Sequence, residues 1–328
     1  MRRVPPAARG PAQIPAAPEA AVRSARHPQS GQDVSMRRAF AFLLLLCSGL
    51  LQAQAFAELR APFYKAERDG QLVYVLGTLH VGRADFYPLR PAIESAVTQS
   101  ARVYLEIDQD DADVEQKMSQ AMLCQRPCLK QALSESEWNA LAQRLGNQEA
   151  ALRALERMRP WAAAVVLTLG DFAALGLNAQ QGVDRRISQL AGDADKTVGL
   201  ESAEEQIRLF TDMTPAEQKE MLAQWLSMST RERMRLNQQL VELWKGGDAD
   251  AMHAWYKEME KRHGSPSVAE SFERKFLAAR NRTLVERLLA QTGGASGPFF
   301  LAVGALHLGG PEGVLALLKQ QGFQIQAE

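Results

Sequence analysis

The chain has 328 residues, 46% of them hydrophobic and 23% charged, with 38 basic and 38 acidic side chains. That is the composition of a folded globular protein with room for one large domain or two small ones, and it excludes a low-complexity or fibrous chain. The even balance conceals an asymmetry: setting aside residues 1–57, with seven arginines against Glu19 and Asp33, leaves 31 basic and 36 acidic residues, a mildly acidic remainder that argues against a nucleic-acid partner.

Residues 1–35 are rich in Pro, Ala, Arg and Gln and carry no periodicity, so they are expected to be a non-native or disordered leader, with Met36 as the start. Met36-Arg37-Arg38 leads into "AFAFLLLLCSGLLQAQAFA", a basic region, a short apolar run and small residues at a cleavage position. This is the pattern of a secretory signal peptide over 36–57. The run is too short to span a bilayer comfortably, so no stable membrane span is expected after cleavage. A periplasmic or secreted protein follows, with its folded domain over 58–328. In such a compartment Cys124 and Cys128, the two cysteines outside the apolar run, are expected to form a disulfide.

The segment "PFYKAERDGQLVYVLGTLH" reads as two strands around an Asp69-Gly70 hairpin turn. "PLRPAIESAVTQSA" has helical spacing, and "RVYLEID" (102–108) is a short strand. Strand, helix, strand predicts a parallel α/β unit. A large helical portion follows, over about 111–292. Capping boxes at Ser134/Glu137, Ser202/Glu205 and Thr214/Glu217 mark helix starts. "RPWAAAVVLTLGDFAALGL" (159–177) reads as a buried helix interrupted by Asp171 and two glycines. "KTVGLES" (196–202) is a strand within the helical portion. Trp161, Trp225, Trp244 and Trp255 have core-like helical spacing. The chain closes with strand "PFFLAVGALH", helix "PEGVLALLKQQG" and strand "FQIQA".

Four apolar strands each deliver one His or Glu at or just past their carboxyl ends: His80, Glu106, Glu201 and His307. In a mostly parallel sheet those ends share one edge, where ligands bind. Both histidines stand in a strand-Gly-x-x-His frame, Gly77 to His80 and Gly304 to His307. Two imidazoles and two carboxylates suit a divalent transition metal with open positions for water, and without metal they supply a histidine base oriented by a carboxylate. Asp184 caps a helix or supports the site from behind. His253 and His263 read as surface or packing residues. There is no Gly-x-Ser-x-Gly elbow, no His-Glu-x-x-His, and no phosphate-binding glycine loop, which argues against a serine hydrolase, a zincin and a nucleotide enzyme.

On "YVLGTLHVGRADFYPL", "ARVYLEID", "RMRPWAAAVVL", "QGVDRRISQLA…KTVGLESAEEQIRLF" and "AVGALHLGGPEGVLALLKQQGF", in that order over residues 60–328, the chain resembles the TraB/PrgY/GumN superfamily, most closely its GumN branch. That superfamily includes the TIKI proteins and is related in fold to erythromycin esterase and the haem-binding ChaN proteins. The resemblance implies an erythromycin esterase/ChaN-like fold with its site at the strand ends. It also implies a metal-dependent hydrolase, a peptidase, in which His80, His307, Glu106 and Glu201 hold Mn, Co or Zn and act on a peptide or small-molecule substrate. The alternatives are a non-catalytic periplasmic protein that captures a peptide or haem in the same cleft, and a metal-free, histidine-based esterase.

Overall fold

A computed structural model describes residues 59–108, 112–192, 194–264 and 266–328. The signal-peptide and leader expectations fall outside these residues. The fold is α/β, built on a six-stranded mixed sheet in the order β4-β3-β5-β2-β1-β6. Its strands are β1 (Phe63–Arg68), β2 (Gln71–Thr78), β3 (Arg102–Ile107), β4 (Thr197–Glu201), β5 (Phe299–Gly304) and β6 (Gln324–Ala327). β4, β3, β5 and β2 run parallel, while β1 pairs antiparallel with both β2 and β6. The expectation of a mostly parallel sheet therefore holds for its centre and not for the β1–β6 side.

The β1–β2 hairpin turns at Asp69-Gly70 with positive φ at both residues (49° and 81°), the mirror-image turn that matches strand twist. The central strands bury both faces, so their sequences read as near-continuous apolar runs. Val103, Leu105, Phe300 and Ala302 pack on one face with Ile93, Val97, Val183, Ile187 and Trp244. Tyr104, Leu301 and Val303 pack on the other with Leu284, Leu288, Val314 and Leu318. A third apolar cluster, among them Leu129, Leu141, Leu167, Leu222 and Trp225, holds the helical portion together.

The helical portion is divided by β4, which inserts into the sheet beside β3. All three capping boxes form. The helix Pro160–Ala174 runs through Gly170 and Asp171 without a break, contrary to the expected interruption. Asp171 faces inward, accepting from Trp225 Nε1 and Arg233 Nε, each at 2.8 Å, so its charge is neutralised inside the cluster. Among the described residues no helix is long and apolar enough to cross a membrane. Cys124 and Cys128 are joined as a disulfide.

Gly77 is the point where fold and site meet. A Cβ there would lie 3.0 Å from Cα and Cβ of Ala305 and from Leu308 Cδ1. The first Gly-x-x-His thus leaves room for the 3-10 turn Ala305–His307 that carries the second. The Gly77 carbonyl also accepts from Trp244 Nε1 at 2.9 Å, which clamps the helix Thr230–Gly246 onto β2. Gly77→Ala is expected to destabilise the protein by about 1–3 kcal/mol through overpacking against backbone, read as a lower urea midpoint with an unchanged slope.

Candidate functional site at the carboxyl edge of the sheet

Parallel register brings the four strand ends to one edge. Glu106 is the penultimate residue of β3, Glu201 the last of β4, His80 lies two residues beyond β2, and His307 ends the turn after β5. The predicted residues thus come together, but around a residue that sequence reading missed. Arg280, on the helix Ala279–Thr292, reaches into the middle of the cluster.

Its Nη2 donates to Glu106 Oε2 and Glu201 Oε2, both at 2.6 Å, and its Nε donates to Glu201 Oε1 at 2.8 Å. Nη1 meets His307 Nε2 at 3.1 Å and the carbonyl of Phe276 at 3.3 Å. All three side chains are buried, with Glu106 7%, Glu201 6% and Arg280 13% exposed. Burial works against the guanidinium's charge, but hydrogen bonds and the charges of the two carboxylates hold its pKa above the ordinary value. Burial likewise pushes Glu106 toward its neutral form, and is outweighed by the surrounding positive charge and the Gly304 N–H at 2.6 Å, which hold it down at about 2.

The two histidines differ in environment. His307 is buried, and burial depresses its pKa to about 4. Its Nδ1–H donates to Asn281 Oδ1 at 2.6 Å, while the Asn281 amide nitrogen donates to the Glu312 carbonyl. That fixes the tautomer and leaves Nε2 as an acceptor for Arg280. His80 has a side chain 67% exposed, with Nδ1 3.1 Å from Asp184 Oδ1. Asp184 charge raises its pKa to about 9. Because the ring stands open to solvent, water weakens this pull without reversing it. Asp184, read from sequence as a cap or background support, touches the exposed histidine directly.

A cavity of about 160 Å³ opens on one side of the cluster, lined by Thr78, His80, Glu106, Asp184, Gln206 and apolar strand residues. It divides the site into an open half around His80 and a closed half of Arg280, Glu201, His307 and Asn281. The Thr78 hydroxyl is buried and has no hydrogen-bond partner among the described residues. His80 Nε2 is likewise without one, whereas His307 has both nitrogens engaged. The volume is below the usual range for an organic-cofactor pocket and does not suit haem. His253 lies outside the site, its ring against Gly310.

The metal expected from the resemblance does not fit this donor set. Every oxygen of Glu106 and Glu201, and the Nε2 lone pair of His307, is turned to a cationic or N–H donor. Among the described residues no group of three or more His, Cys, Asp and Glu is arranged to hold an ion. The physical cause is that a guanidinium already neutralises the carboxylates.

Comparison with known proteins gives a consistent assignment. The sequence profile of the TraB/PrgY/gumN family matches residues 62–327. An uncharacterized protein of Treponema pallidum (strain Nichols) is 24% identical over 266 residues, covering 76% of this chain and 77% of that protein. The uncharacterized protein YbaP of Escherichia coli (strain K12) is 24% identical over 255 residues, covering 75% of this chain and 87% of that protein. No solved structure matches.

The two imidazoles are expected to titrate on opposite sides of the ordinary histidine value of about 6.5. Proton NMR should show His80 titrating above it and His307 below it, and Asp184→Asn should bring His80 down while leaving His307 in place. A single shared midpoint near 6.5 would show the rings to be equivalent.

Proposed function

The chain belongs to the TraB/PrgY/gumN family, and from that premise we propose that it is a hydrolase of acyl bonds, ester or amide, with His80 as the base that activates water. The observation that carries this reading is the His80–Asp184 pair, with an open Nε2 beside the cavity. Asp184 holds the Nδ1–H tautomer, so Nε2 of the neutral ring is the acceptor. It takes a proton from water as the oxygen attacks the acyl carbon, and the imidazolium so formed is stabilised by Asp184. The proton then passes to the leaving group. Thr78 and Gln206 supply polar groups in the cavity wall to hold the water or the acyl oxygen. Arg280 offsets the charge of Glu106, so that the wall does not repel the developing oxyanion.

The charge and size of the cavity favour a small neutral acyl group over a large prosthetic group. A fold of the erythromycin esterase/ChaN kind is part of the same proposal, supported by the strand-end position of the polar cluster. So is export: the segment 36–57 and the Cys124–Cys128 bond both suit a periplasmic chain, and a mature N-terminus near Glu58 in a Gram-negative host is the expected result of N-terminal sequencing.

Activity is tested with untagged protein on p-nitrophenyl acyl esters and fluorogenic dipeptides. His80→Ala is expected to lower kcat by about 10²–10⁴-fold, the usual contribution of a positioned base. Because His80 must be neutral to act, kcat/KM is expected to rise with pH through the elevated pKa of about 9 and level off only above it. Asp184→Asn should move that limb to lower pH and lower the plateau. Absence of turnover by the parent protein on either substrate class, or a His80→Ala variant with parental rate, would overturn the proposal.

A further inference from the structure

The hydrogen-bond capacity of Arg280 is used in full. A guanidinium has five N–H donors, and here they meet five acceptors: Nε–H on Glu201 Oε1, the two of Nη2 on Glu201 Oε2 and Glu106 Oε2, and the two of Nη1 on His307 Nε2 and the Phe276 carbonyl. A side chain lying over a site by chance does not find a partner for every donor. The backbone also presents it. Arg280 follows a π-helical turn, Glu273–Ala278, an irregularity that often marks functional positions. The next residue, Asn281, fixes the ring of His307 whose Nε2 faces Arg280. Two buried carboxylates at adjacent strand ends require a compensating cation, and the guanidinium supplies one with its geometry already set.

We propose that Arg280 is the resident cation of this site, standing where the family resemblance would put a divalent metal, and that the chain folds and works without one. The proposal goes beyond the hydrolase reading and does not depend on it, since it is read in metal content whether or not a substrate is turned over. It has two consequences. Divalent ions find no vacant donor set in the parent protein. Removing the guanidinium leaves Glu106, Glu201 and the Nε2 lone pair of His307 facing one another with uncompensated negative charge, which is the donor chemistry of a Zn²⁺ or Mn²⁺ site.

The test uses the untagged full chain, dialysed without chelator, with metal content by plasma mass spectrometry and Zn²⁺ and Mn²⁺ binding by calorimetry. The parent is expected to hold well under a tenth of an equivalent, on the order of contamination, and to show no Tm shift with either ion. Arg280→Ala is expected to bind one of the ions at least about 10-fold more tightly than the parent and to gain Tm with it. Arg280→Lys keeps a cation in place and is expected to remain without metal. Should Arg280→Ala fold only when refolded with Zn²⁺ or Mn²⁺, that outcome supports the proposal equally. A parent chain that carries about one equivalent of metal, lost with thermal stability on chelation, overturns it. So does an Arg280→Ala chain that binds neither ion better than the parent, or an Arg280→Lys chain that takes up metal as Arg280→Ala does.

Discussion

The fork of Arg280 between Glu106 and Glu201 is the interaction on which the rest of the site depends. β3 and β4 are parallel neighbours, and each carries a buried carboxylate at or next to its last residue. Without a cation between them, their repulsion in a poorly hydrated interior would cost several kcal/mol. One guanidinium answers both. In doing so it ties the helix Ala279–Thr292 to the sheet edge and sets the orientation of His307 through Nε2. A second arginine of the same helix, Arg287, repeats the device on the surface side by pairing with Glu205 and the Leu200 carbonyl.

The two Gly-x-x-His frames show how environment rather than motif decides chemistry. Both follow a parallel strand, and both bring an imidazole to the same edge. One ring is sealed, hydrogen-bonded at both nitrogens and held neutral; the other is open, paired with a carboxylate and inclined to hold a proton. Neighbouring groups of like type driven to opposite protonation states are a recurring arrangement at acid–base sites. The glycines differ as well. Gly77 makes room for the backbone of the other motif. Gly304 instead lets its N–H reach Glu106, with an added Cβ 3.2 Å from that carboxylate.

Much of this architecture was legible in the sequence. Apolar strand runs ending in His or Glu placed the edge, Asp69-Gly70 gave the hairpin, and three Ser/Thr–Glu pairs gave helix starts, because each depends on residues close in the chain. The pairing of β1 with β6 on its other edge was not legible, since the two strands lie more than 250 residues apart. Arg280 was missed for a related reason: it sits among Arg274, Lys275, Arg282 and Arg287 in the large helical portion, far in the chain from the carboxylates it pairs with. A signal was nonetheless present. Phe276, Arg280, Leu284 and Leu288 recur at intervals of four, so Arg280 lies on the apolar stripe of its helix. An arginine on such a stripe needs a buried anion, and Glu106 and Glu201 were already in view. Asp184 was undervalued because a carboxylate in a first helical turn is ordinarily explained by the helix itself.

The central claim is that Arg280 and Glu201 are coupled energetically and not merely adjacent. A double-mutant cycle on unfolding free energy, with Arg280→Met, Glu201→Gln and the double variant, measures this directly. The account predicts a favourable coupling of about 2–3 kcal/mol, with each single change more damaging than the double change would suggest, because each leaves a buried charge unpaired. Single effects that add to within about 0.5 kcal/mol would contradict it.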